Sequence, residues 1–267
     1  MTRIAVLGLG EAGSIIANDL AAAGALVIGF DPVAQSVPDI QRASTSRDAV
    51  READLVLSLN ASAVAVAVLT GCIGEICSTA VYADLNSTSP GVKRELAALC
   101  LERDLPFADV ALMTPVPGKG LATPMYVSGT GAAMFASSLA VFGADVEVVG
   151  DTAGDAATRK LLRSIYAKGL AAVVIDAIEA ASRLGHSEWM RDNIERDLES
   201  ATRTTVERLI TGTAVHVARR TSEVTAAKDL VESVGYSAPT SIGTLNLFRE
   251  ITAGSISIIE EKKRAIK

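Results

Sequence analysis

Three glycines near the start of the chain have the spacing of a phosphate cradle. The segment Ile4-Ala5-Val6-Leu7-Gly8-Leu9-Gly10-Glu11-Ala12-Gly13 is an apolar run followed by G-x-G-x-x-G. In such a loop the first glycine permits a tight turn and the second lets the backbone approach a pyrophosphate. The third lets the next helix pack close to the strand. The helix N-terminus then turns unpaired N–H groups and a partial positive charge toward the phosphates. Gly8, Leu9, Gly10, Glu11, Ala12 and Gly13 are therefore the predicted dinucleotide-binding stretch, in the strand-then-helix context the motif requires. The next apolar run, Val27-Ile28-Gly29-Phe30, ends in Asp31, 23 positions after Gly8. An acid there accepts from the adenosine ribose hydroxyls and repels a 2′-phosphate. Pro32-Val33-Ala34-Gln35 follow with nothing basic, so the pattern predicts NAD(P) with NAD favoured over NADP. Asp31-Pro32 also reads as a simple turn start.

A lysine is the second candidate. Hydride transfer from an alcohol needs the hydroxyl proton removed, and the reverse reaction needs a proton supplied. An amine on a long stem does both if burial or charge draws its pKa toward neutrality. Lys160, Ser164 and Lys168 stand at i, i+4, i+8, one face of a helix. Arg159, Lys160, Arg163 and Lys168 also read as solvated surface charge, and spacing alone favours that reading. The other candidates are weaker. His186 follows Gly185 and reads as a cap or surface residue. His216 lies thirty positions on, with no cysteine near either, which is no metal-site spacing. Arg219 and Arg220 suit surface or interface pairing better than anion binding. Cys72 and Cys77 read as core, and Trp189 as packing or interface. No Gly-x-Ser-x-Gly elbow or P-loop is present.

These residues need elements to position them. Before about residue 150, short apolar runs alternate with helical stretches. The expected strands are 3–7, 25–30, 55–59, 80–85, 105–108, 125–128 and 146–149, with helices at 11–23, 46–53, 91–103 and 132–142. Such alternation implies parallel pairing through right-handed crossovers. After it the pattern is helical, with expected helices at 156–184, 187–210, 214–234 and 243–263, the first closed by Gly185. Charge divides at the same place: residues 1–154 carry a net −8 and residues 155–267 a net +2. The fold class is therefore α/β: a Rossmann domain over 1–154, then a smaller all-α domain over 155–267. The second part has too few helices to cover its own long apolar helix, so a homodimer is expected.

The 267 residues are 49% hydrophobic and 21% charged, which excludes global disorder. A net charge of −6 and a pI near 5.1 repel phosphate backbones, so nucleic acid is not an expected partner. Leu55–Ile73 carries no charge, but its polar residues make it a strand plus a helix rather than a span, and no membrane association is expected. Three cysteines, an odd and sparse count, suit a reducing, cytoplasmic setting.

Four segments together resemble the β-hydroxyacid dehydrogenase superfamily, which includes 6-phosphogluconate and 3-hydroxyisobutyrate dehydrogenases. They are the Gly8 loop, Ala53-Asp54-Leu55-Val56-Leu57-Ser58-Leu59-Asn60, Asp84-Leu85-Asn86-Ser87-Thr88-Ser89-Pro90, and Gly154-Asp155-Ala156-Ala157-Thr158-Arg159-Lys160. The resemblance implies that Leu59, Asn60, Asn86 and Ser87 lie on the cofactor. It places Lys160 at the family's catalytic acid/base, near the start of a helix that faces an interdomain cleft. Met113, Thr114, Ser164 and Lys168 would meet a small acid substrate, with no metal required. The chain departs from the family in three places. Ala156 replaces a glycine, Ser164 replaces an asparagine, and the substrate loop reads Asp109-Val110-Ala111-Leu112-Met113-Thr114-Pro115 in place of Asp-x-x-x-Ser-Gly-Gly. The implied activity is hydride transfer between NAD(P) and a small β-hydroxy acid or its oxo partner. An imine reductase on the same frame and a non-catalytic dinucleotide sensor are the alternatives.

Overall fold

Ile4, Ala5, Val6 and Leu7 are all buried. A strand achieves that only when helices cover both faces of its sheet. The structure, a computed structural model, describes residues 2–33 and 37–266. Its strands are β1 (Arg3–Leu7), β2 (Leu26–Phe30), β3 (Gln41–Arg42), β4 (Leu55–Ser58), β5 (Val81–Asp84), β6 (Phe107–Leu112), β7 (Met125–Ser128) and β8 (Val146–Val148). They form an eight-stranded sheet in the order β3-β2-β1-β4-β5-β6-β7-β8. Between them run α1 (Glu11–Ala22), α2 (Ser46–Val50), α3 (Ala65–Cys72), α4 (Pro90–Leu101) and α5 (Ala132–Ala140). Side chains alternate faces along each strand. Ile4 and Val6 pack with Ile16 and Leu20 of α1 and Phe135 and Leu139 of α5. Ala5 and Leu7 pack with Val50 of α2, Leu69 of α3 and Leu96 of α4. The sheet runs from β1 toward β2 on one side and β4 on the other, so the loops after β1 and β4 part at a topological switch point. That is where a doubly wound sheet binds ligands.

Two features of the sheet depart from the sequence reading. β3, two exposed residues paired with β2, was not expected, because so short an element has no periodicity to detect. β7 pairs antiparallel with β6 rather than parallel. Only a loop with one short 3-10 turn, Gly120–Ala122, separates the two strands. With no crossover helix, the chain must return antiparallel.

The chain divides into two compact units, residues 1–163 and 164–267. The first extends past the boundary expected at 154 because the opening of α6 (Asp155–Arg183) is bonded to the sheet, as described below. The second unit contains the rest of α6, α7 (Ser187–Glu199), α8 (Arg203–Glu232), α9 (Pro239–Thr252) and α10 (Ser257–Ile266). No strand occurs in it among the described residues. The break expected at Thr211-Gly212 falls four residues on, as a kink in α8 at His216 (φ −118°, ψ 24°), and a further break lies at 200–202, where Thr202 and Thr205 form a reciprocal capping box that starts α8. The expected helix over 243–263 is split at Gly254, whose φ of +77° ends α9. Asp176 accepts from the Tyr236 hydroxyl at 2.5 Å and from both the backbone N–H and the hydroxyl of Thr240, tying α6 to the start of α9.

Candidate active site

The loop after β1 is built by close approach. Gly8 has φ +104°, and a Cβ on it would lie 2.3 Å from the Leu59 carbonyl oxygen. A Cβ on Gly13 would lie 2.0 Å from the Gly8 carbonyl oxygen, so α1 abuts the loop as the motif requires. Around Gly10 the space is open: a Cβ there would meet nothing within 4 Å. Gly10 caps α1 with no side-chain hydrogen bond, leaving the first-turn N–H groups, those of Glu11 and Ala12 among them, without a side-chain cap. An open cradle at an uncapped helix N-terminus fits a pyrophosphate.

Asp31 closes the other side of this cradle. Its carboxylate accepts from Leu9 N and Val33 N, each at 2.8 Å, so it forms the turn and also ties β2 to the glycine loop. Ala34 and Gln35, expected to leave this end without positive charge, lie outside the described residues. Positive charge comes from elsewhere. β3 pairs Arg42 with Gly29, and the Arg42 guanidinium donates to the Asp31 carbonyl oxygen at 3.0 Å. A pocket of about 390 Å³ is lined there by Phe30, Asp31, Pro32, Arg42, Ala43 and Ser44. Sequence reasoning missed Arg42 because it sought a basic residue directly after Asp31. The chain brings one back eleven residues later.

At the ends of β4 and β5, polar side chains lock together. The Asn60 amide donates to Ser58 Oγ at 2.8 Å. The buried Asn86 amide donates to Asp84 Oδ1 at 2.5 Å, with Ser58 Oγ and Asn60 Oδ1 at 3.2 and 3.3 Å. Asn60 and Asn86 thus fix the two loops to each other. Ser87, next in sequence, is exposed, and its Oγ accepts from Lys160 Nζ at 2.7 Å. Segments 73 positions apart in sequence therefore meet at one hydrogen bond. Lys160 is half-buried on the second turn of α6. Burial lowers its proton affinity below that of an ordinary lysine. The nearby Lys93 ammonium adds to that, and Asp109 opposes both.

Beneath Lys160 lies a cluster that the sequence reading did not single out. Lys93 of α4 is buried, with Nζ 2.7 Å from Asp84 Oδ2 and 3.2 Å from Asp109 Oδ1, and it donates to the Asp84 carbonyl oxygen at 2.6 Å. Asp109 Oδ2 accepts from Gly154 N at 3.0 Å and Ala157 N at 3.1 Å, and Ser128 Oγ accepts from Ala156 N at 3.0 Å. These contacts supply the N-terminal cap of α6. The signal was present in the sequence: Lys93 stands on the stripe Lys93, Leu96, Cys100 that α4 buries.

The other expected residues are more scattered. Met113 and Thr114 follow β6 and are half-buried, with Met113 N donating to Pro124 O at 2.8 Å. Ser164 and Lys168 belong to the helical unit, the first half-buried and the second exposed. Arg219 pairs with Glu223 one turn on, and Arg220 donates to Thr213 Oγ1. His186 precedes α7 as its N-cap residue without a side-chain cap bond. Trp189 is exposed. Cys72 is core as expected, but Cys77 is exposed because α3 ends at Cys72. Among the described residues, no three or more His, Cys, Asp or Glu gather to hold a metal, and no helix is long and apolar enough to cross a membrane.

Residues 3–150 match the model of the NAD binding domain of 6-phosphogluconate dehydrogenase. The chain belongs to this family. Residues 181–251 match a domain of unknown function. Among curated proteins, the chain is 29% identical over 138 residues to an NAD-dependent L-serine dehydrogenase of Pseudomonas aeruginosa, covering 48% of this chain and 46% of that one. It is 28% identical over 171 residues to an uncharacterised 28.5 kDa protein of Methanothermus fervidus, covering 64% of this chain and 66% of that one. The aligned segments thus span less than two thirds of each relative. A conserved hypothetical protein from Sinorhizobium meliloti superposes with a TM-score of 0.63 at 30% identity, over 93% of this chain and 88% of that one. The V8 variant of an imine reductase of Myxococcus stipitatus, solved with NAD⁺, superposes with a TM-score of 0.82 at 19% identity, over 98% and 99% of the two chains. That last likeness is one of fold.

Proposed function

We propose that this chain is an NAD(P)-dependent oxidoreductase that moves a hydride between the nicotinamide and a small β-hydroxy acid or its oxo partner. The observation that carries the reading is the Lys160 Nζ–Ser87 Oγ hydrogen bond of 2.7 Å. It joins an amine of lowered proton affinity to the loop that, with Asn60 and Asn86, borders the dinucleotide cradle. When bound, the nicotinamide supplies or accepts the hydride. Lys160 takes the proton from the substrate hydroxyl in oxidation and returns it to the oxygen in reduction, with Ser87 holding the amine in place. Gly8 to Gly13 cradle the pyrophosphate, Asp31 receives the ribose, and Leu59 backs the glycine loop at Gly8 and Gly13. Met113 and Thr114 are the substrate-facing candidates of the first unit, and Ser164 and Lys168 those of the helical unit. The serine dehydrogenase relative, which acts on a β-hydroxy acid, supports the substrate class.

We favour NAD(H) on Asp31, with the Arg42 guanidinium narrowing the margin. A reducing, cytoplasmic setting suits the three free thiols. A C=N substrate is the second reading. Met113-Thr114-Pro115 replaces the serine and glycines that hold a carboxylate in the family, and fold neighbours include imine reductases. The test is nicotinamide absorbance with NADH or NADPH against a panel of small β-oxo acids and imines. Oxo-acid turnover supports the first reading and imine turnover alone the second. Cofactor binding without any turnover would leave a sensor.

A further inference from the structure

We propose that Lys93 is a positioning residue for Lys160, acting through Asp109, and that the buried Asp84–Lys93–Asp109 cluster governs where that amine sits and the charge it sits beside. The inference rests on the reading of Lys160 as the proton-carrying group, and adds a residue that neither that reading nor the family match assigns. A lysine with 1% of its side chain exposed, between two carboxylates with none exposed, is costly to desolvate. Hydrophobic residues of similar volume would fill the site at less cost, so a task beyond packing is the economical explanation of its presence.

The geometry gives it two tasks. Asp109 divides its oxygens: Oδ1 faces Lys93, while Oδ2 accepts from Gly154 N and Ala157 N. Ser128, which donates to the same Oδ2 at 3.2 Å, accepts from Ala156 N. Lys93 thus holds the carboxylate that holds the start of α6, and Lys160 stands on the next turn. The second task is electrostatic. The charged groups that act on Lys160 are Lys93 of α4 and Asp109 of β6; Asp84 of β5 pairs with Lys93, and the Arg94 guanidinium of α4 lies against Gly154. Arg159 on α6 itself donates to Val149 O and so points toward the β8 end. Within this set Lys93 makes a second positive charge unfavourable at Lys160, and Asp109 makes it favourable. The two act with opposite sign, and that opposition is the test.

The experiment measures how fast Lys160 is acylated by an amine-selective anhydride as pH is varied, read by peptide mass, with exposed Lys119 as the internal standard. It needs neither substrate nor cofactor. In the intact protein Lys160 should reach half-maximal reactivity below the ordinary lysine value of 10.5. Lys93→Met should move that midpoint upward by about one pH unit, cutting reactivity about tenfold at a fixed pH below it. Asp109→Asn keeps shape and an acceptor oxygen for α6, and should move the midpoint downward. Shifts of both variants in the same direction are what a merely structural lesion gives, and would overturn the proposal, as would no shift in either. Should Lys93→Met fail to fold, Asp109→Asn decides alone, and an unchanged or raised midpoint overturns it. Because the readout is the amine itself, Lys160 can prove dispensable for turnover while this result stands, which separates the two failures.

Discussion

Lys160→Ala removes the amine that donates to Ser87 but leaves the glycine loop and Asp31 intact. Cofactor affinity should therefore change little while single-turnover hydride transfer falls about 10²–10⁴-fold, the usual worth of a positioned proton carrier. Lys160→Arg should fail nearly as badly, since a guanidinium keeps its proton. A Lys160→Ala variant with more than about a tenth of the rate would place the proton carrier elsewhere. The pH profile carries a sign. Oxidation needs the free amine, and the proton affinity of Lys160 is lowered below the ordinary lysine value of 10.5. The oxidation rate should rise with pH through a midpoint under that value, and reduction should decline through the same midpoint. At the ribose end, Asp31→Ser should weaken NADH about fivefold or more and erase the preference over NADPH. Arg42→Ala should weaken NADPH more than NADH. Dissociation constants for both cofactors in both variants decide these points.

Among the elements, the contact between α1 and the loop after β1 has the least room. Gly13→Ala sets a methyl 2.0 Å from the Gly8 carbonyl oxygen, and only movement of the helix or the loop relieves that. The expected cost is about 1–3 kcal/mol, as for overpacking generally, with loss of NADH binding; denaturant titration and cofactor titration of the same variant check it. What sequence could supply here follows from physics. β1 and β4 were legible because a strand buried on both faces must be a continuous apolar run, and β2, buried at alternate residues, was legible as the apolar run that ends in Asp31. β3 was not, having two exposed residues. The antiparallel return of β7 was not, because strand direction depends on the connection rather than on the strand. In the helical unit the expected break near Gly212 appears as the kink at His216, while the break at 200–202 escaped notice because a threonine capping box, not a glycine, marks it. The Gly8 loop, Asp31 and Lys160 were legible from motif spacing. Lys93 was overlooked because a lysine on a helix is usually solvent-facing, and only its place in the buried stripe says otherwise.

At the scale of the whole molecule, the helical unit buries little of what it carries. Its cluster of buried apolar side chains is Ala214, Phe248, Ile251 and Ile259. Along α6, meanwhile, Ile165, Tyr166 and Ile175 are exposed at 73%, 72% and 68%. Faces this large and apolar are typical of obligate interfaces. We propose a second copy of this chain as their occupant. Light scattering at micromolar concentration should give about twice the single-chain mass of 27.6 kDa; a value at the single-chain mass would remove the dimer. Ile165→Glu with Tyr166→Glu should then dissociate it.

The way α6 begins also bears on how the protein opens. Helix ends ordinarily fray, because their first amides have only water to bond. Here the amides of Gly154, Ala156 and Ala157 are held by Asp109 and Ser128, two side chains with no exposed surface, on strands from the interior of the sheet. Releasing those three hydrogens requires the sheet to come apart, not one turn of helix to unwind. Their exchange with deuterium should therefore be as slow as that of β5 and β6, and should follow global unfolding as denaturant is added. The start of this helix would be among the last places in the chain to admit solvent.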